Sequence, residues 1–203
     1  MNLRVFIVIL STIFSCIVLG ENAYGNDSIV LEIEETLRTQ CKHQVKALNV
    51  HMGHIARKEY PDSIKDYHIE ACLDLFISCG ENSTDDEGNI IIPAPRIEIT
   101  DKYRGTKNAY FIRKYLERLK NIEYTKVIFN SSKCYLPDGG IKQVKENEYV
   151  ATVIFYQIMI GYKGEIIVDP PGYNEYRATV HIKRKGEGHF DVLLGDIKAT
   201  MIS

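Results

Sequence analysis

No long block of like charge interrupts this sequence: 25 basic residues face 27 acidic ones, for a formal net charge of −2. Nothing in that balance calls for nucleic acid or an anionic membrane as partner, and Lys183-Arg184-Lys185 reads as a solvated strand end. There is no internal repeat and no low-complexity tract. No glycine run qualifies as a phosphate cradle, since Gly139-Gly140 follows Pro137-Asp138 and reads as a turn. No Cys-x-x-Cys accompanies His51 and His54, so spacing does not assemble the four nitrogen or sulfur donors of a zinc site. Neither a metal nor a cofactor is expected. Cys134 lacks the nearby histidine of a thiol nucleophile. Tryptophan is absent, and tyrosine is abundant at 13 residues, which suits strands and wet binding surfaces alike.

What is present begins at the N-terminus. Arg4 supplies a positive start, and an apolar run extends from Val5 to Leu19. At about 15 residues it falls short of spanning length. Ala23 and Gly25 stand at the spacing a signal peptidase accepts, which places cleavage after Gly25. Residues 1–25 then form a signal peptide and 26–203 a single domain, exported to the periplasm or secreted. An uncleaved anchor is one alternative. Lipid anchoring at Cys16 is another, because Ile13-Phe14-Ser15-Cys16 loosely resembles a lipobox. The remaining 178 or so residues suit one domain with a sizeable core. Cys41, Cys72, Cys79 and Cys134 would meet an oxidising compartment, and spacing does not choose among their three full pairings or free thiols. Cys72 and Cys79 are close enough in sequence to pair locally.

Along the chain the hydrophobic period changes once. Ser28 to Val50 reads as a helix capped by Ser28, with Ile29, Ile33, Leu37, Cys41, Val45 and Leu48 as its stripe. Further helices are expected over Met52–Tyr60 and Ser63–Ile77, the latter with Ile64, Tyr67, Ala71 and Leu75 inward. Residues 79–89 read as an acidic loop, and Arg96–Thr100 as an edge strand after Pro93 and Pro95. Thr106–Lys120 reads as a helix with Ile112, Tyr115, Leu116 and Leu119 inward. After Asn121 the period becomes two. Strands are expected at Tyr124–Phe129, Tyr149–Gly161 (central), Tyr176–Lys183 and Phe190–Met201, with a turn at Asp169-Pro170-Pro171-Gly172. Helices followed by strands define an α+β domain, with N-terminal helices packed on a curved antiparallel sheet.

The chain resembles the NTF2-like (SnoaL-like) superfamily, and within it an uncharacterised group of exported bacterial proteins. The residues carrying the resemblance are Leu73-Asp74-Leu75-Phe76-Ile77, Ile97-Glu98-Ile99-Thr100, Tyr115-Leu116-Glu117-Arg118-Leu119, Tyr124-Thr125-Lys126-Val127, Phe155-Tyr156-Gln157 and Leu194-Gly195-Asp196-Ile197. The resemblance implies a cystatin-like cone with a pocket between sheet and helices, where catalytic members place an Asp, His or Tyr. It implies no particular activity, because this fold carries enzymes, binders and interaction modules. Asp196, an acid in an otherwise apolar strand, is the best pocket candidate, although the parity of Leu193, Ile197 and Ala199 turns it away from their side. Gln157 is the second, as a polar group in the central strand that must find a partner. Tyr156 belongs to a tyrosine-rich set with Tyr162, Tyr173 and Tyr176 that offers contact area at little entropic cost.

Two functions are consistent with these residues. The first is a non-enzymatic exported module that binds an unknown protein or small-molecule ligand, with Gln157, Asp196 and Tyr156 at the binding surface and a homodimer among its assemblies. The alternative is a small hydrolase or isomerase using a pocket acid. The export reading is checked by intact mass and N-terminal sequencing of protein recovered from the cell envelope or medium. The expected first residue is Asn26; retention of Met1–Gly25, or a lipid-modified Cys16, contradicts it.

Overall fold

The computed structural model describes residues 3–101, 106–137, 140–186 and 188–200, with side chains from residue 29 onward except at Asp101. The chain divides into two compact units, Met1–Thr36 and Leu37–Ser203. The first is helical from Leu3 and forms the N-terminal part of helix α1 (Leu3–Ile55). The expected cleavage after Gly25, the alternative anchor and the lipidation at Cys16 rest on side chains outside those described. Helix α1 does not begin at a Ser28 cap, because the backbone is helical on both sides of that serine. Among the described residues no helix is long and apolar enough to cross a membrane.

The second unit carries the C-terminal half of α1, where Leu37, Cys41, Val45, Leu48, Met52 and Ile55 form one buried face at helical spacing. No separate Met52–Tyr60 helix exists. Helix α1 ends at Ile55, and the following turn is tied down by the Lys58 amide donating to the Thr125 carbonyl at 3.0 Å. Helix α2 (Asp62–Leu73) buries Ile69, Cys72 and Leu73 together with Lys65. Its inward face is therefore rotated from the expected stripe, and Ile64 and Tyr67 are exposed. The rotation follows from the fully buried Leu73 and Phe76, the latter forming a parallel β-bridge with Leu194 that fixes the helix exit. A 3-10 turn (Ile77–Gly80) leads into a small hairpin, β1 (Ser83–Thr84) with β2 (Ile90–Ile92), whose first strand and tip fall in the expected acidic loop. Asp85 holds its tip by accepting from the Glu87 and Asn89 amides at 3.1 and 2.8 Å.

The main sheet contains β3 (Arg96–Asp101), β4 (Thr106–Phe111), β5 (Lys126–Tyr135), β6 (Ile141–Lys145), β7 (Glu148–Lys163), β8 (Ile166–Gly186) and β9 (His189–Thr200). The strand order is β4-β3-β9-β8-β7-β5, with β6 also paired to β7, and the sheet is open at both ends. All these pairings are antiparallel except β3 with β9, so the sheet is mixed. Strand β3 is not an edge; β4 is. Pro93 and Pro95 precede β3, where they cost no ladder hydrogen bond.

Thr106–Phe111 had the look of a helix start. Instead all six of its residues pair with β3, and helix α3 (Ile112–Lys120) begins only where the Ile112 amide donates to the Pro95 carbonyl at 2.9 Å. Its inward face is the expected one, Ile112, Tyr115, Leu116 and Leu119. Asp169-Pro170-Pro171-Gly172 is not the turn of its hairpin. It lies within β8, and the reversal falls at Gly164 with a positive φ of 61°. The prolines are tolerated because the described β8–β9 pairing starts only at Glu175, and because the β7–β8 register shifts between Met159 and Gly161. Alternation then builds the inner face: Val153, Phe155 and Gln157 on β7, Ala178, Val180 and Ile182 on β8, Val192 and Leu194 on β9.

Where the end of α1 meets α2, His51, His54 and His68 gather. The Nδ1 atoms of His51 and His68 lie 2.9 Å apart, so one ring must be neutral for the other to donate to it. His54 stacks on His68 with centroids 4.4 Å apart and on Tyr60 at 5.6 Å, Tyr67 meets His68 edge-on, and Arg57 lies over Tyr60. Burial, then the charge of His54, lowers the pKa of His51 and His68 from the usual histidine value. The unfolded chain therefore binds more protons as pH falls through that usual value. The cluster's contribution is complete above it and is lost as the pH drops toward the depressed folded pKa. Denaturant midpoints are expected to fall between about pH 7.5 and about pH 5, and His68→Asn to flatten that fall. A midpoint independent of pH in the parent protein contradicts it.

Candidate functional site

A cavity of about 150 Å³ lies between α3 and the inner face of the sheet. Ile99 and Thr100 reach it from β3, Tyr115 from α3, Phe129 from β5, Gln157 and Met159 from β7, and Asp169, Asn174 and Tyr176 from β8. The apolar members continue the core. The polar members converge from four elements.

Gln157 is inward because β7 alternates with period two, and it is only 8% exposed. Its Nε2 donates to Oδ1 of Asn49 on α1 at 2.5 Å, and Asn49 is itself 4% exposed. This amide pair satisfies two buried groups that would each be costly alone. Burial pushes the Tyr176 phenol up to about 12. Burial also raises Tyr115, with Tyr176 and Cys72 adding to it. Both remain neutral O–H groups far into the alkaline range. The Thr100 hydroxyl is buried with no hydrogen-bond partner among the described residues. Asp169 is half-buried at the cavity, with the Tyr124 hydroxyl 3.5 Å from its Oδ2. The Tyr124 ring lies directly on Gly161, where an added Cβ would stand 2.9 Å from it, so only glycine seats that ring. A larger groove of about 670 Å³ shares Ile99, Tyr115 and Met159 with the cavity, and adds Asn108, Arg118, Glu123, Tyr124 and Lys163.

The three residues singled out in the sequence do not meet. Gln157 lines the cavity. Asp196 is exposed, and its Oδ1 accepts the Arg96 amide at 2.9 Å. A bulge sets its direction: Val180 pairs with Leu194 but Ala178 with Ile197, so three β9 residues span two of β8. Leu194 and Ile197 are both inward across it, and Gly195 fits because a Cβ there would meet Nε2 of His181 at 2.8 Å. Tyr156 lies on the outer face, donating to Glu175 Oε2 at 2.9 Å and stacking on Tyr135. Hydrogen bonds with Tyr135 and Glu175 push its phenol up to about 12.

Sequence reasoning missed Asp169, which was read as part of a turn, and Asn49. The signal for Asn49 was in view: a polar residue beside Leu48 on a helix that is buried at Val45, Leu48 and Met52. Cys41, Cys72, Cys79 and Cys134 are all free thiols, with Cys72 buried and Cys79 exposed. Burial pushes Cys41 and Cys72 up to about 12, which makes them unreactive. Among the described residues no group of three or more His, Cys, Asp or Glu could hold a metal ion.

Among the described residues the chain is an α+β protein, with three helices packed on a large, open, mixed sheet. No family model matches it, and no curated protein does. Among solved structures it is similar to a protein of Novosphingobium aromaticivorans provisionally described as a scytalone dehydratase, at 13% identity and a TM-score of 0.44, over 87% of this chain and 89% of that one. It is also similar to ActVI-ORFA of Streptomyces coelicolor, at 14% identity and a TM-score of 0.35, over 80% of this chain and 97% of that one. Likenesses this distant carry no statement about activity.

The Asn49–Gln157 pair can be tested by stability. Asn49→Leu and Gln157→Leu are each expected to cost about 1–3 kcal/mol, since each strands the partner's amide, and the double variant less than their sum. Strictly additive losses in urea unfolding contradict the pairing.

Proposed function

We propose that the chain is an exported module that binds a small, largely uncharged ligand carrying a ring and a hydroxyl or carbonyl group. The observation that carries this reading is the cavity beside Gln157, where neutral polar groups converge on apolar walls. Ile99, Phe129 and Met159 supply apolar contact. The amides of Gln157 and Asn174, the phenols of Tyr115 and Tyr176, and the unpartnered Thr100 hydroxyl supply orientation. A cavity of about 150 Å³ takes a benzene-sized ring, and the adjoining groove has room for a substituent. Export rests on Arg4, the apolar run Val5–Leu19 and the small residues Ala23 and Gly25.

A second reading, a pocket-acid enzyme, is favoured by Asp169. It is the one carboxylate lining the cavity among the described residues, it is half-buried, and a phenol stands beside it. There it could take a proton from a bound ligand while Tyr115 or Tyr176 donates to a developing oxyanion.

Titration of the mature chain with 4-hydroxybenzaldehyde, followed by ligand-detected NMR, tests the binding reading. Saturable binding is expected, weakened about tenfold by Gln157→Leu, weakened also by Thr100→Val, and unchanged by Tyr156→Phe on the opposite face. Undiminished binding to both cavity variants defeats the reading, as does no binding by the parent. If a bound probe is converted, Asp169→Asn is expected to lower kcat and leave affinity within about twofold, as loss of a group acting only in the transition state does.

A further inference from the structure

A second cavity, of about 220 Å³, lies between the C-terminal half of α1 and the edge strand β5. Its chemistry is the reverse of the first. Lys42 and Lys46, one helical turn apart, reach it from α1, and Lys133 reaches it from β5. Among the described residues no Asp or Glu lines it. None of the three lysines has an ion-pair partner among the described residues. Partial burial raises the half-buried Cys134 thiol, and the charge of Lys42 acts against that rise. The β5 strand is built for this position. Ser131 pairs with Gln157 and Cys134 with Phe155, so a bulge releases Ser132 and Lys133 from the ladder beside the helix.

A separate observation points into the same place. Asn49 lines this cavity and is 4% exposed. Its Oδ1 is taken by Gln157, while its Nδ2 is buried with no hydrogen-bond partner among the described residues. A buried amide donor left open beside three uncompensated ammonium groups lacks an acceptor carrying negative charge.

We propose that the cavity formed by Lys42, Lys46, Asn49, Ser131, Ser132 and Lys133 is a binding site for a small phosphorylated molecule. Lysine acts as a point charge toward a tetrahedral dianion, whereas planar carboxylates are met by the arginine fork, and among the described residues no arginine lines this cavity. The Ser131 and Ser132 hydroxyls and the Asn49 Nδ2 group supply neutral donors to the remaining oxygens. The volume exceeds that of phosphate alone, which leaves room for the group that bears it.

The test is titration of the mature chain with inorganic phosphate, glycerol 3-phosphate and acetate at constant ionic strength, followed by 31P NMR and by the amide 1H–15N spectrum. Saturable binding of both phosphates is expected, with acetate much weaker. Lys46→Ala and Lys133→Ala, both at exposed positions, should each weaken phosphate about tenfold, while Lys114→Ala on α3 should not. The Asn49 side-chain NH₂ resonances should shift on saturation. Three results overturn the proposal: no saturable phosphate binding, acetate bound as well as phosphate, or an equal loss with Lys114→Ala, which marks diffuse attraction to the whole surface.

Discussion

The hydrogen bond between Gln157 and Asn49 is the constraint around which this structure is arranged. It ties α1 to the longest fully paired stretch of the sheet at a point where neither amide can reach bulk water. Such a bond adds little net stability, but breaking half of it is expensive, so it selects one register rather than adding strength. On β7 a slip of one residue would turn Gln157 outward and bring Tyr156 into the core, taking Phe155 and Val153 out with Gln157. The amide pair and the inner apolar row therefore specify the same alignment by different means.

Three irregularities in the sheet place most of its polar chemistry. The bulge in β5 turns Ser132 and Lys133 toward α1. The register shift between β7 and β8 at Gly161 lets Asp169 reach the inner cavity and seats Tyr124. The bulge at Gly195 in β9 sends Asp196 outward to the Arg96 amide. The regular stretches between them carry Val153, Phe155, Ala178, Val180 and Ile182, which are core and nothing else. A bulge changes side-chain parity locally at small cost, so it is a natural means of turning a polar residue toward or away from a packed face.

That division also explains how much could be read in advance. Where a single period ran undisturbed, the residues announced their faces. The α1 stripe from Leu37 to Leu48, the inward set of α3 and the central position of β7 all followed from spacing. Where long-range pairing overrode local pattern, spacing misled. Thr106–Phe111 looked helical because it runs into a strong helix, yet its six residues pair with β3. Pro170 and Pro171 looked like a turn because the missing β9 neighbour that makes them tolerable is a property of the assembled sheet. Asp169 was hidden by the same misreading. Asp196 was half-legible: the parity argument turned it outward, and the bulge that keeps Leu194 and Ile197 inward on either side of it has no local signature beyond Gly195.

The two cavities differ in electrostatics more than in size. Phe129 lines both, and the amide pair is shared between them, Gln157 facing one and Asn49 the other. Among the described residues, the lining on the Gln157 side carries one acid, Asp169, while on the Asn49 side every ionisable group other than Cys134 is a lysine. Asn49 stands at the boundary with one end of its amide committed to each side, so the identity of this single residue bears on the alignment of the sheet and on the character of both cavities.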